Sequence, residues 1–200
     1  MKQIVILEGA NDSLFVETVI KKEKTTGCVY KKFNFEEERK RNSEKAIETN
    51  VISSFLSPSS PYHILLKEEH GKGRLFKLFP GILLQITHAN SNLIFMFDAD
   101  SKDIDMQLNK LFGKIYQRNK SLKIEKKDER VIKTGLRKRC YVITKAFGNK
   151  YKQLIGNFTA LIFDESLEKL IKKNFVNIDP KDSIIKFAET ISFSDLYFDC

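Results

Sequence analysis

The sequence predicts an α/β fold in which a mostly parallel, Rossmann-like sheet has helices on both faces. Continuous apolar runs are typical of strands buried on both faces, and two occur, at Ile4–Leu7 and Leu93–Phe97; Tyr62–Leu66, which is apolar except for His63, is a further candidate for a buried strand. Each run is followed by a segment with apolar residues at helical spacing. This alternation of strand and helix is the pattern of a parallel sheet.

The first strand is predicted over Ile4–Leu7, and it ends at a tight turn, Glu8-Gly9. Asn11 or Asp12 can cap the helix that follows. Residues 28 to 60 are predicted to form an insertion or an edge element, with a strand near 28–35 and a helix near 44–55.

After the second strand run, a glycine-containing turn extends to Arg74, and a helix is predicted over Leu75–Ile86. Pro80-Gly81 should break or kink that helix. Leu93–Phe97 is the strongest strand signal and ends at Asp98-Ala99-Asp100, before another helix.

The later part of the chain is predicted to be a C-terminal α/β extension. Residues 122–147 alternate like strands, Ala160–Phe163 resembles one more strand, and helices are expected over Leu167–Phe175 and Asp182–Ile191. Asp182 or Ser183 would cap the last helix. The predicted organisation is a catalytic core over 1–118 with the extension 119–200 packed on it.

Composition narrows the class of protein. Apolar residues make up 42% of 200 residues, which is enough for a core, and the formal charge of +9 favours a polyanionic partner, either nucleic acid or an anionic membrane surface. A lysine-rich surface that only serves solubility is the alternative. The three cysteines lack zinc spacing and suit a reducing compartment. No apolar run approaches a membrane span, so we expect a soluble cytoplasmic protein without a membrane partner, with a dimer as the default oligomer.

Carboxylates follow two of the predicted buried strands. Ligands of parallel sheets bind beyond the carboxyl ends of the strands, so Glu8, Asp98 and Asp100 should converge there if the two strands are neighbours. Hard oxygen ligands without histidine favour Mg²⁺ or Mn²⁺, and such an ion suits phosphate-ester chemistry. Asp103 is either a fourth ligand or the N-cap of the next helix, and the same two roles are open to Asp12, for which the cap is preferred.

Basic residues suggest where a phosphate backbone would bind. Lys and Arg neutralise phosphates without reading sequence. The candidates lie in the glycine-containing turn and beside a predicted strand: Lys72, Arg74, Arg137, Lys138 and Arg139. A solvated charged face is the competing interpretation.

Two segments resemble the TOPRIM domain. Ile6–Phe15 is similar to its first motif, a strand ending in Glu-Gly with an Asp a few residues on, and Phe95–Asp100 resembles its second, a strand ending in DxD. Gly71-Lys72-Gly73 resembles the glycine-bearing middle segment of small stand-alone and OLD-nuclease-like members. The resemblance covers about residues 1 to 118, and Ser101-Lys102-Asp103 departs from the glycine or acid that many members carry after the DxD.

The resemblance implies Mg²⁺-dependent breakage, joining or synthesis of nucleic-acid strands. Glu8 would be the general acid/base or a metal ligand, and Asp98 and Asp100 would be metal ligands. A small metal-dependent nuclease acting on DNA or RNA is the first expectation. There are two alternatives. One is a non-catalytic nucleic-acid-binding module of the recombination and repair type, and the other is a nucleotide-handling phosphotransferase.

Overall fold

The computed structural model describes residues 2–22, 28–34, 44–86, 91–147 and 151–196, which form a seven-stranded, mostly parallel sheet with helices on both faces. The strands are β1 (Lys2–Leu7), β2 (Tyr30–Asn34), β3 (Ile64–Glu68), β4 (Ser91–Asp98), β5 (Leu122–Lys133), β6 (Leu136–Phe147) and β7 (Tyr151–Phe163). The helices within these ranges are α1 (Ala10–Lys22), α2 (Glu44–Leu56), α3 (Lys72–Ile86), α4 (Ile104–Arg118), α5 (Leu167–Asn174), α6 (Pro180–Glu189) and α7 (Phe193–Leu196). The predicted α/β class with a mostly parallel sheet is confirmed.

The strand order across the sheet is β2-β3-β1-β4-β7-β6-β5. The first five of these strands run parallel to one another. Strand β6 pairs antiparallel with β7, and β5 pairs antiparallel with β6. The described part of the stretch 28–60 supplies the edge strand β2 and helix α2, and residues 35–43 lie outside the described part. The segment 119–200 joins the sheet itself, because β7 pairs directly with β4.

Two apolar cores lie on opposite faces of the sheet. Helices α2, α3 and α4 cover one face, where the rings of Phe79 and Phe95 pack in a tilted arrangement with centroids 4.4 Å apart. Helices α1, α5 and α6 cover the other face, where Phe15 meets the edge of Phe163. Because β1 and β4 are covered on both sides, their sequences are continuously apolar rather than alternating.

The start of α1 differs from the prediction that Asn11 or Asp12 caps it. The helix begins at Ala10, and the Asp12 carboxylate accepts the backbone N–H of Gly9 at 2.9 Å. Asp12 therefore lies in the first turn, and its side chain reaches back to the residue before the helix, as the side chain at position N3 of a capping box does.

The expectation about the start of the last predicted helix is also wrong. Neither Asp182 nor Ser183 caps α6; Asp179 does, by accepting the N–H of Lys181, and Pro180 opens the helix with its preset backbone angle. Of the predicted break or kink at Pro80-Gly81, the break does not occur, because α3 runs from Lys72 to Ile86 with Pro80 inside it. Its buried apolar side is packed against the sheet, and this packing offsets the one backbone hydrogen bond that a proline removes.

Within the described ranges, every helix is too short or too polar to span a bilayer.

Candidate carboxylate site at the sheet edge

The first carboxylate pair forms where β1 and β4 end side by side. These strands are parallel neighbours, with Ile6 opposite Phe95, as the sequence interpretation assumed. Glu8 follows β1 and Asp98 is the last residue of β4, and the backbone N–H of Asp98 donates to Glu8 Oε2 at 3.3 Å. Two acids that are 90 residues apart in the chain therefore meet at the carboxyl edge of the sheet.

The loops at this edge are tied to one another by backbone hydrogen bonds. The loop after β3 donates to the end of β1, and the loop after β4 donates to the end of β7: Glu69 N–H to Leu7 O at 3.0 Å, Gly71 N–H to Glu8 O at 2.8 Å, Ala99 N–H to Phe163 O at 2.7 Å and Ser101 N–H to Asp164 O at 2.9 Å. The turns use left-handed backbone at four positions, His70, Gly71, Asp100 and Ser101. Such turns hold several loop ends together over the same edge of the sheet.

Helix N-termini support two of the carboxylates. Glu8 accepts the backbone N–H of Lys72, the first residue of α3. Asp98 Oδ1 accepts the N–H of Leu167, the first residue of α5, at 3.3 Å. The positive end of each helix dipole therefore faces a carboxylate, which favours the negative charge.

Burial and mutual repulsion act against ionisation of the same groups. Burial raises the pKa of Glu8, and the charge of Asp100 adds to this rise. Burial, then the charges of Glu8 and Glu168, raise the pKa of Asp98 to about 7. The pKa of Asp12 is raised well above its ordinary range, by burial first and by Asp98 next. Carboxylates grouped in this way share protons or bind a cation.

Asp100 and Asp103, the other predicted ligands, have different surroundings. Asp100 is half exposed and forms an ion pair with Lys72. Asp103 is the N-cap of α4, and its side chain accepts the N–H of Met106 at 3.0 Å. Capping, one of the two roles predicted for Asp103, is therefore the role that the structure displays.

Two of the three predicted phosphate-binding residues of the basic strand, Arg137 and Arg139, form internal ion pairs. Arg137 Nε lies 2.6 Å from Asp164 Oδ1. Arg139 is buried, and its guanidinium lies 2.6 Å from Asp105 and 2.9 Å from Glu129. Lys138 is also buried. Binding of a polyanion at this strand would compete with acids that already hold these side chains.

A buried charge network lies at the end of β3, on the side of α3. Lys67 and Glu69 form an ion pair in which both side chains are completely buried. Arg74 Nε, in α3, lies 3.3 Å from Glu69 Oε2. Arg74, another predicted phosphate-binding residue, therefore links the first turn of α3 to the loop that carries Glu69.

The carboxylate edge matches a hard divalent cation in its chemistry, because its donors are carboxylate oxygens that repel one another. In the described part of the chain, however, no three His, Cys, Asp or Glu side chains are grouped so that they could hold a metal ion together. Glu8 and Asp98 are joined by a hydrogen bond, whereas the carboxylate of Asp100 forms an ion pair with Lys72.

Two acids of this edge were not predicted as site residues. Asp12 was considered both as a metal ligand and as a helix cap, with the cap preferred, and Glu168 was not considered. Glu168 lies in the first turn of α5, which follows β7. The signal that could have found it is a third apolar strand ending in acids, Ala160–Phe163 followed by Asp164-Glu165, directly before a helix.

Comparison of the chain with family models, with curated proteins and with solved structures finds no match in any of the three. The TOPRIM resemblance of Ile6–Phe15 and Phe95–Asp100 therefore stays a prediction from the sequence.

Proposed function

We propose that the protein is a TOPRIM-like nuclease that hydrolyses phosphodiester bonds of nucleic acid with the help of Mg²⁺ or Mn²⁺. One observation carries the proposal: Glu8 and Asp98 meet at the carboxyl edge of the parallel sheet, with Asp100 two residues further on. Ligands of such sheets bind at this edge, and the two acids are those of the motifs that the sequence resembles.

The residues divide between metal binding and proton transfer. Asp98 and Asp100 would hold the divalent cation, which when bound neutralises phosphate charge and makes a water molecule more acidic. Glu8 would accept a proton from the attacking water, because its raised pKa makes its carboxylate a stronger base than an exposed one. Lys72, released from Asp100, would contact a phosphate oxygen.

The test is cleavage of labelled single- and double-stranded DNA and RNA by the purified protein with Mg²⁺, with Mn²⁺ and with chelator. We expect metal-dependent cleavage that is lost in Glu8→Gln and Asp98→Asn. Asp128→Asn is the matched control, because Asp128 is an exposed carboxylate on the edge strand β5 and should leave cleavage unchanged.

The competing functions have distinct outcomes in this test. Salt-sensitive binding of nucleic acid that survives Asp98→Asn, without turnover by the wild-type protein, would replace hydrolysis by a binding module. Metal-dependent turnover of mononucleotides but not of polymers would indicate a nucleotide-handling phosphotransferase. Absence of both cleavage and binding would reject the nucleic-acid assignment.

A further inference from the structure

A groove of about 380 Å³ lies beside the carboxylates, between α1 and the helices α5 and α6. Its end nearest the site is formed by Asn11 and Glu168, and Asn11 Nδ2 donates to Glu168 Oε1 at 2.6 Å. Glu168 lines the groove and also influences the carboxylate site, because its charge raises the pKa values of Asp12 and Asp98. One residue of the groove lining, Glu168, therefore lies within electrostatic reach of the candidate site.

The body of the groove is apolar and contains one aromatic ring. Phe175 is half-buried in its wall, and Val176 next to it is 72% exposed. The rest of the apolar lining is formed by Ile171, Ile178, Pro180 and Ile184. A flat ring can stack on Phe175 without displacing it from the core, because its inner contacts are already made to the apolar face that α1, α5 and α6 share.

The rim of the groove has polar groups of two kinds. The Asn11–Glu168 pair leaves Glu168 Oε2 and Asn11 Oδ1 as hydrogen-bond acceptors beyond the bond that joins them. Lys172, an exposed residue of the lining, adds a positive charge. A ligand that fits has a flat apolar body, N–H donors on one edge and a negative charge attached to it. A nucleotide has all three properties.

We propose that this groove binds a single nucleobase of the substrate, next to the phosphate that the carboxylate edge receives. The base stacks on Phe175, its N–H edge donates to the Asn11–Glu168 pair, and Lys172 faces a neighbouring phosphate. The volume is at the small end of the roughly 300–1,000 Å³ typical of ligand pockets, which suits one base. This inference rests on the proposed function in taking the substrate to be nucleic acid.

The binding test uses the full chain in chelator, with guanosine and adenosine as probes and ribose as the negative control, followed by calorimetry or by protein-observed NMR. Omitting the metal and the phosphate separates the groove from the carboxylates. We expect both nucleosides to bind and ribose not to bind. Asp128→Asn, the exposed control on β5, should bind nucleosides like the wild-type protein.

Three variants test the contacts. Phe175→Leu keeps an apolar side chain but removes the aromatic face, and it should weaken nucleoside binding about tenfold, a typical loss for one stacking contact. Phe175→Tyr keeps the face and should retain the affinity. Asn11→Ala, on an exposed side chain with no risk to folding, should weaken binding as well. Thermal denaturation checks that each variant is folded.

The outcomes separate this inference from the proposed function. Nucleoside binding that depends on Phe175, in a protein without any cleavage activity, supports the base site and rejects the nuclease. Cleavage by the wild-type protein with the same KM in Phe175→Leu and Asn11→Ala, together with no nucleoside binding at millimolar concentration, overturns the base site and leaves the nuclease intact.

Discussion

Asp98→Asn should stabilise the folded protein while it removes the proposed activity. The pKa of Asp98 rises from its ordinary 3.8 to about 7 on folding, so the folded state holds its proton more tightly than the unfolded state does. A rise of this size corresponds to about 4 kcal/mol of unfavourable free energy when the group is ionised. Asparagine has the same shape without the charge, and its Oδ1 can still accept the N–H of Leu167.

The pH dependence follows from the direction of this shift. Between about pH 4 and pH 7 the folded protein binds more protons at Asp98 than the unfolded chain, so wild-type stability falls with rising pH. Above pH 7 the loss from this group is complete and constant. The stability gap between Asp98→Asn and wild type should therefore be smaller at pH 5 than at pH 8.

Water reaches part of the Asp98 carboxylate, and its screening reduces the unfavourable free energy below the full value of about 4 kcal/mol that the pKa rise implies. We expect a gain of at least about 1 kcal/mol at pH 8, which is a rise in Tm of about 2–4 °C for a chain of this length. Urea denaturation and thermal melts at both pH values, in chelator, measure it. Asp128→Asn, the exposed control, should change neither midpoint.

The reasoning is refuted if Asp98→Asn is no more stable than wild type at pH 8, or if its gain is the same at pH 5. Addition of Mg²⁺ gives a second measurement on the same proteins. A cation that binds the folded site raises the stability of the wild-type protein by mass action. It should raise that of Asp98→Asn much less, since one of its ligands is gone.

Three further predictions concern the surroundings of the site. Asp103→Ala should lower stability by about 1 kcal/mol through loss of the α4 cap, with cleavage unchanged; loss of cleavage in a folded variant would favour the ligand role instead. Lys67→Met should cost about 3–5 kcal/mol by leaving Glu69 buried without its closest partner, whereas Lys67→Met with Glu69→Leu should be close to neutral, as measured by urea denaturation. Lys72→Ala should lower stability by less than about 1 kcal/mol, because its ion pair with Asp100 is partly exposed, but should raise the KM for nucleic acid.

Much of the fold could be predicted from local patterns in the sequence. Ile4–Leu7 and Leu93–Phe97 are apolar without interruption because both faces of their strands are covered, and a chain with that pattern has few alternatives to a central position in a parallel sheet. Helix ends were predicted less well. Asp12 and Asp182 are favourable capping residues, but both lie in the first turn of their helices, which Gly9 and Asp179 precede. An acid is favourable at the cap and in the first turn alike, so its presence does not fix the residue at which a helix begins.

The candidate site was predictable only in part, because local patterns identify strand ends but not the contacts between elements that are distant in the sequence. Glu8 and the Asp98-Ala99-Asp100 motif directly follow strong strands, so strand ends and motif spacing identify them. Arg139 was predicted at a phosphate-binding surface, and its burial between Asp105 and Glu129 depends on contacts between β6, β5 and α4 that no local pattern encodes.

The sequence by itself determined the class of fold and the acids at the ends of β1 and β4, because hydrophobic periodicity and strand-end residues are local properties. Only the tertiary structure decided that β7 pairs with β4 and so brings α5, with Glu168, to those acids. Strand order depends on which buried surfaces fit together across the whole chain. The same packing decided that Asp98 keeps its proton up to about pH 7, since burial and neighbouring charges exist only once the chain has folded.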